Sequence, residues 1–568
     1  MGFLESMEKV LNEDYNNSIT ENGALGYRTT AHEILDFNFK VSSYRNASEE
    51  TIIKDFMKVF YEDKLTAMKF LFFIRDREEG LGERRLFRVI IKYLANEETE
   101  IIKAICSLIA EYGRYDDLLV LLDTKVGKTV MSLISKQLAK DVKNEENNKP
   151  ISLLAKWLPS VNLKTTHERT TRKRIKRLKA LLTLHEINSK LARNLKEFEE
   201  SKEVINKTEE QLKELNDELD QIEEKEGKTK AKKIIKYCKT TCEEYRKTLS
   251  KLRKYIDVTE RKMCANEWDE IKYENVPSRA NLNYNNAFLK HDEERRRAFL
   301  EQVQKGEKKI HAGKLYPHDI VHKYGNYPRE VDTTLEELWK GLPQKEIANT
   351  LVVADGSGSM TSRIGNTNVS CLEVANALAI YFAEHNKGEF YNQYITFSEN
   401  PQLVKFNKKD TLKDKIKICL MHDEVANTNI EAVFDLILDT AIQNNLKQDE
   451  MPKNILIISD MEFDYCATVS RSGWGRERPT QKLFKTFDER FERAGYKLPK
   501  LIFWNVCSRT GTIPMKENDL GVALVSGFST NIAEMVMNDK LDPLEILLDK
   551  VNSKRYEKVE EKLKNILK

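Results

Sequence analysis

Between residues 350 and 525 the 568-residue chain repeats one local pattern: a short run of β-branched or apolar residues, then a stretch with apolar residues at helical spacing. The runs are Thr350 to Ala354, Tyr394 to Phe397, Asn454 to Ser459, Leu501 to Trp504 and Val522 to Val525. Helical patterns at Leu372 to Glu384, Ile430 to Ile442 and Leu483 to Ala494 lie between them. Short apolar runs without polar alternation are strands covered on both faces. Strands that alternate with helices are joined by crossovers, so this part of the chain is expected to form an α/β, doubly wound, mostly parallel sheet.

Directly after the first run stands Asp355-Gly-Ser357-Gly-Ser359. In extended backbone, positions i, i+2 and i+4 point to one side, so a carboxylate and two hydroxyls converge at the carboxyl end of a strand. Open α/β sheets place ligands there. All three donors are hard oxygens, which suit Mg²⁺ or Mn²⁺ and not Zn²⁺. A nucleophilic role for Ser357 fits less well, because Asp355 stands where the nucleophile elbow needs Gly, and no Gly-Lys-Ser/Thr completes a phosphate loop. Asp355, Ser357 and Ser359 resemble the metal-ion-dependent adhesion site (MIDAS) of von Willebrand factor A domains. The resemblance implies a Thr on a second loop and an Asp on a third. Thr428, just before the helical pattern at Ile430, and Asp460, after the run ending at Ser459, match by context; Met461 stands where many relatives have Gly. It also implies that one coordination position is left for an acidic group of a partner protein. A flexible Gly-Ser linker is the alternative, but a linker would not follow a buried strand and be answered by Thr and Asp at two other strand ends.

From about residue 30 to 160 apolar residues recur at three and four, as in Ile52, Phe56, Val59 and Phe60, with breaks near Gly80, Gly82 and Gly113. Short helices in stacked pairs are expected, without a fixed-period repeat. Heptad-like spacing runs from Leu195 to Ile222 and resumes from Ile235 to Leu252 after a turn at Gly227, which predicts an antiparallel coiled-coil hairpin. Cys238 and Cys242 fall on its seam as small buried residues rather than metal ligands. Helical patterns return from 256 to 345.

Glu21-Asn-Gly-Ala-Leu-Gly-Tyr27, Leu71 to Arg77 running into Gly80 to Phe87, Glu111 to Leu118 and Leu153 to Pro159 resemble the TROVE module of the Ro ribonucleoprotein autoantigens. They resemble more closely an uncharacterised branch that joins such a region to a C-terminal A domain, as do Pro277 to Ala280, Leu315 to Ile320 and Ser459 to Asp464. The resemblance implies HEAT-like helical repeats closed against the A domain, with small structured RNAs on a basic face and RNA 3′ ends in the hole. It divides the chain into a TROVE-like region over 1–187, the coiled-coil insertion over 188–255, a second helical part over 256–345 and a Rossmann-like A domain over 346–568.

Lys plus Arg total 94 against 91 Asp plus Glu, so the chain is no polycation and any nucleic-acid surface must be local. One stretch qualifies: between Lys164 and Arg193 ten Lys or Arg stand against two Glu. Lys164, Arg169, Arg172, Lys173, Arg174, Lys176, Arg177 and Lys179 are its candidate RNA contacts, with a solvated helix face as the alternative. Arg84, Arg85, Arg114, Lys156 and Arg279 are added because they lie in the shared motifs. His318 and His322 imitate a zinc-protease pair, but Asp319 is shorter than the usual Glu base, Pro317 reads as a helix start, and no third ligand follows. Eight cysteines form no Cys-x-x-Cys pair, so neither a zinc ribbon nor a disulfide framework is expected.

No stretch of about 18 apolar residues exists, and acids crowd the N-terminus, so a cytoplasmic protein without a membrane partner is expected. Gly2 and Ser6 meet a myristoylation pattern that lacks a polybasic second anchor. The expected function is a non-enzymatic RNA-binding protein with a Mg²⁺-binding A domain for partner contact. A protein-interaction scaffold without RNA is the alternative. A metal-dependent hydrolase comes third, since no general base is placed by sequence.

Overall fold

The computed structural model describes residues 15–158 and 245–567, apart from 326–327, 346, 348, 366, 398–400, 424–428, 465–482, 517–520, 534–539 and 541. The coiled-coil hairpin and the basic stretch from Lys164 to Arg193 therefore lie outside the described residues, except for the returning segment from 245. A helical N-terminal region, preceded by one small hairpin, is followed by a mostly parallel six-stranded sheet with helices. The chain forms two compact units, Met1–Ile90 with Lys272–Lys568, and Ile91–Ile271.

In the larger unit the hairpin pairs β1 (Asn17–Ile19) with β2 (Leu25–Tyr27). Helices α1 (Glu33–Phe39), α2 (Glu49–Glu62) and α3 (Lys64–Arg75) follow, then α4 (Arg84–Glu97), within which the unit ends at Ile90. Apolar spacing at three and four becomes the buried face of α2, where Ile52, Phe56, Val59 and Phe60 lose nearly all exposure. Ser48 caps its first turn by accepting from Thr51 N, and the Asp63 carboxylate caps α3 through Leu65 N and Thr66 N.

In the smaller unit α5 (Thr99–Ile105) and α6 (Gly127–Glu146) are joined by short helical turns. The helical segment 245–255 is bonded to residues 145–158: Arg253 Nε donates to Ala155 O at 2.8 Å, Arg253 Nη2 to Leu158 O at 2.7 Å, and Lys251 pairs with Glu145 at 2.6 Å.

Returning to the larger unit, α7 (Ser278–His291), α8 (Glu293–Gln304), α9 (Pro317–Tyr324) and α10 (Thr333–Lys340) precede the sheet. The sheet contains β3 (Thr350–Asp355), β4 (Gln393–Phe397), β5 (Leu403–Lys405), β6 (Asn454–Ser459), β7 (Lys500–Asn505) and β8 (Val522–Ser526). Their spatial order is β5-β4-β3-β6-β7-β8, with β5 alone antiparallel. Chain order thus reverses between β3 and β6, the two central strands.

Every residue of β3, β7 and β8 is buried. Burying side chains such as Ile455 to Ile458 is worth roughly 1.5–3 kcal/mol each. Helices α11 (Cys371–Glu384), α12 (Leu412–His422), α13 (Ile430–Gln443) and α14 (Leu483–Arg493) belong to the crossovers. Helix α11 is buried almost all round, with strands β3, β4 and β6 touching it along with helices α9 and α12. At the β8 edge, α1 packs alongside, and Asn38 Nδ2 donates to Leu524 O while Ser42 N donates to Ser526 Oγ at 2.8 Å. An edge strand left bare would template further pairing. The closing helices α15 (Pro543–Val551) and α16 (Glu557–Leu563) pack on α3, and the fully buried Asp76 accepts from Arg555 and Tyr556.

Among the described residues no helix is long and apolar enough to cross a membrane.

Candidate metal centre

Strands β3 and β6 both end in aspartate at the point where the strand order reverses, where ligands of open α/β sheets sit. Asp355 closes β3 and is buried; its Oδ1 accepts from Ser357 N at 2.9 Å and its Oδ2 from Ser459 Oγ at 2.6 Å. The hydroxyls of Ser357 and Ser359 lie 3.1 Å apart. Asp460 follows β6, with Oδ1 accepting from Glu462 N at 3.3 Å. Its Oδ2 is buried and accepts no hydrogen bond among the described residues; Arg509 Nη2 stands 3.5 Å away.

Burial, then the charge of Asp460, pushes the Asp355 carboxyl up to about 7. Burial also raises Asp460, against the pull of the Ser359 hydroxyl and Arg509. Two buried carboxylates, one raised by the charge of the other, two convergent hydroxyls and a carboxylate oxygen that accepts no hydrogen bond form an all-oxygen donor set. That set fits a hard divalent cation such as Mg²⁺ or Mn²⁺. Among the described residues there is no cluster of three or more His, Cys, Asp or Glu that could hold a metal ion, so at this place the donor set depends on the hydroxyls of Ser357 and Ser359 beside the two carboxylates.

Four of the five ligands expected from the sequence, Asp355, Ser357, Ser359 and Asp460, thus meet at one place. Thr428 lies outside the described residues. Met461 takes a left-handed conformation, φ 64°, with its side chain buried, and this accounts for the Gly expected at that position. A non-glycine residue pays about 1–2 kcal/mol for it. Met461 N donates to Ser459 Oγ at 2.9 Å, which ties the turn to Asp355 through the same hydroxyl.

Three groups around the centre were not singled out by sequence. Glu462 is fully buried and accepts from Ser508 Oγ, Arg509 N and Thr510 N through Oε1 and from Glu21 N through Oε2. Glu21, at the turn of the β1–β2 hairpin, accepts from Arg509 Nε. Glu462 and Glu21 do stand inside quoted motifs, which was the available signal. Nearby, Cys371 at the start of α11 and Cys507 are neighbours that shift each other, Cys371 upward and Cys507 downward, and Asn46 Nδ2 donates to Cys507 Sγ at 3.4 Å.

The cations assigned to RNA from the shared motifs have other partners in several cases. Arg85 donates to Tyr44 O and Ala47 O. Arg114 pairs with Asp116 at 3.0 Å and lies over Trp157, with Lys156 5.8 Å from the same ring. Arg279 pairs with Asp319 at 2.8 Å with half its side chain exposed, and Arg84 is exposed. The eight from Lys164 to Lys179 lie outside the described residues. His318 and His322 do not converge on a metal: His318 is buried between Tyr316 and Phe528, and His322 Nδ1 is 2.8 Å from Glu373 Oε1. Pro317 sits in the first turn of α9.

Residues 349–567 match a domain of unknown function, DUF7788, and residues 125–351 match another, DUF2828. The two matches meet where β3 begins. The uncharacterised protein L728 of Acanthamoeba polyphaga mimivirus is 27% identical over 573 residues, covering 94% of this chain and 87% of that protein.

Proposed function

We propose that this chain is a non-enzymatic, cytoplasmic RNA-binding protein of the Ro ribonucleoprotein type. In this reading TROVE-like, HEAT-like helical repeats carry small structured or 3′-tailed RNA. A Rossmann-like von Willebrand factor A domain binds Mg²⁺ through Asp355, Ser357, Ser359, Thr428 and Asp460 and presents it to an acidic group of a protein partner. The observation that carries the metal half is the buried Oδ2 of Asp460, which accepts no hydrogen bond, beside Asp355 at the strand reversal. A bound divalent ion would supply the positive charge that two buried carboxylates require. The RNA half rests on the motifs shared with the Ro module and on the ten cations between Lys164 and Arg193.

For the metal, the measurement is the melting temperature with and without Mg²⁺. Saturation near 100 Kd adds about 2.7 kcal/mol to wild type, and Asp355→Ala is expected to show no Mg²⁺ response. For the RNA, full-length protein is expected to retain structured RNA with an affinity that falls steeply with salt. Neutralising Arg172, Lys173, Arg174, Lys176 and Arg177 together should remove most of that dependence. Unchanged retention would refute the assignment of the stretch.

The scaffold reading draws support from one finding: Arg85, Arg114 and Arg279 are spent on internal carbonyls, carboxylates and a ring. It predicts that no RNA copurifies and that Asp355→Ala abolishes a protein contact instead.

A further inference from the structure

Arg509 leaves the loop after β7 and its guanidinium meets three groups. Nη2 stands 3.5 Å from Asp460 Oδ2, Nη1 donates to Ser362 Oγ at 3.3 Å, and Nε donates to the Glu21 carboxylate. Among the described residues Arg509 is the one cationic side chain within 4 Å of Asp460. This arrangement is built rather than incidental, because a single buried carboxylate anchors both sides of it. Glu462 takes the main-chain N–H groups of Arg509 and Thr510 at 2.8 Å each on Oε1, and that of Glu21 at 2.8 Å on Oε2. The hairpin that carries Glu21 is held independently, by Thr20 Oγ1 donating to Phe463 O and by paired main-chain bonds between Tyr27 and Ile513.

We propose that Arg509 competes with a divalent cation for Asp460, and that Glu21 is the acceptor which holds Arg509 when the cation takes that place. The inference rests on reading the Asp355 site as a metal centre. A guanidinium cannot lose its proton, so a divalent ion bound to Asp460 and a charge 3.5 Å from the same oxygen repel each other in a poorly screened setting. One of them has to move. Glu21 already holds Nε, and its side chain is about half exposed, so Arg509 can turn outward while keeping a counter-charge. The affinity of the centre is then set by residues that never touch the metal. The hairpin, through Glu21, becomes part of its tuning.

The test is a Mn²⁺ titration of the full chain, with free Mn²⁺ read by electron paramagnetic resonance, on wild type, Arg509→Gln, Glu21→Gln, the double variant and Asp355→Ala. Melting curves run in parallel check that each variant folds. Arg509→Gln is expected to bind Mn²⁺ roughly tenfold more tightly, because a competing charge has gone. Glu21→Gln is expected to weaken binding about threefold or more in wild type, yet to change it less than about twofold once Arg509 is absent. Equal effects of Glu21→Gln in both backgrounds would reduce it to a through-space charge and overturn the proposal. So would unchanged affinity in Arg509→Gln while Asp355→Ala still abolishes binding, an outcome that leaves the metal reading intact. Mn²⁺ binding indifferent to Asp355→Ala, or absent throughout, would sink both.

Discussion

At the scale of single residues, His318 shows how burial sets charge. It stacks on Tyr316 and meets the Phe528 edge, and burial lowers its imidazole to about 4, with Arg45, Arg77 and Arg279 adding to the shift and Asp319 opposing it. The unfolded imidazole takes a proton near its ordinary value of about 6.5, whereas the folded one resists until about 4. The unfolded state therefore binds more protons between those values, and stability falls as pH drops through that window, then levels off below it. The loss amounts to about 3 kcal/mol. His318→Phe keeps the stacking and cannot titrate. Urea unfolding at pH 7.5 and 4.5 is expected to show a smaller acid loss in that variant by about 2–3 kcal/mol. The donor set Asp355, Ser357 and Ser359 was legible at this same scale, because the three stand at alternate positions of one short segment; the extended backbone expected there holds only to Ser357, and Ser359 enters a 3-10 turn, Gly358–Thr361, that still leaves its hydroxyl 3.1 Å from that of Ser357. Glu462 and Arg509 were not. Their roles depend on loops from two strands meeting the hairpin, with Glu21 and Glu462 standing 441 positions apart.

At the scale of elements, the short apolar runs identified β3, β4, β6, β7 and β8 to within a residue or two, because a fully buried strand has no other composition open to it. Strand β5 escaped notice: it has three residues, with Leu403 and Lys405 exposed. Helix α12 was not read from the sequence either, although Thr411 with Asp414 forms a reciprocal cap at its start; Glu336 of α10 also accepts from Leu412 N and Lys413 N. The β1–β2 hairpin is a different case. Two three-residue strands are not stable alone, so its sequence bears little strand signal and its shape comes from docking. Gly26 carries that docking, since a Cβ there would meet Thr512 Cγ2 at 2.6 Å and Ile513 O at 2.7 Å. Gly26→Val is expected to cost at least about 2 kcal/mol and to open the first 30 residues to limited proteolysis while the sheet keeps its protection. Cleavage at the wild-type rate would show that the hairpin is not held at this point.

At the scale of the whole molecule, the change of texture near residue 346 reads as a domain boundary, and the two family matches also meet there. Packing tells another story about independence. Helix α11 has almost no polar face, and part of its cover is α9; Trp339 of α10 reaches Glu384 at its end. On the far edge α1 seals β8, while α3 takes Asp76 to Arg555. Residues 346–568 expressed alone would expose these faces together with an uncompensated edge. They are expected to precipitate or to melt without cooperativity, whereas the full chain melts sharply. A soluble fragment with a cooperative transition would show that the helices are ornaments on a self-sufficient sheet.

The bonds from Arg253 to Ala155 and Leu158 give the smaller unit a property of its own. The chain leaves the described residues at 158 and re-enters them at 245, and the bonds from Arg253 close these two ends into a stump. Loop-closure cost grows only slowly with length, so the 86 residues from 159 to 244 can be lengthened, shortened or exchanged for a brief Gly-Ser bridge without parting the stump. A chain with this stretch replaced is therefore expected to keep the smaller unit's melting transition close to that of the intact protein.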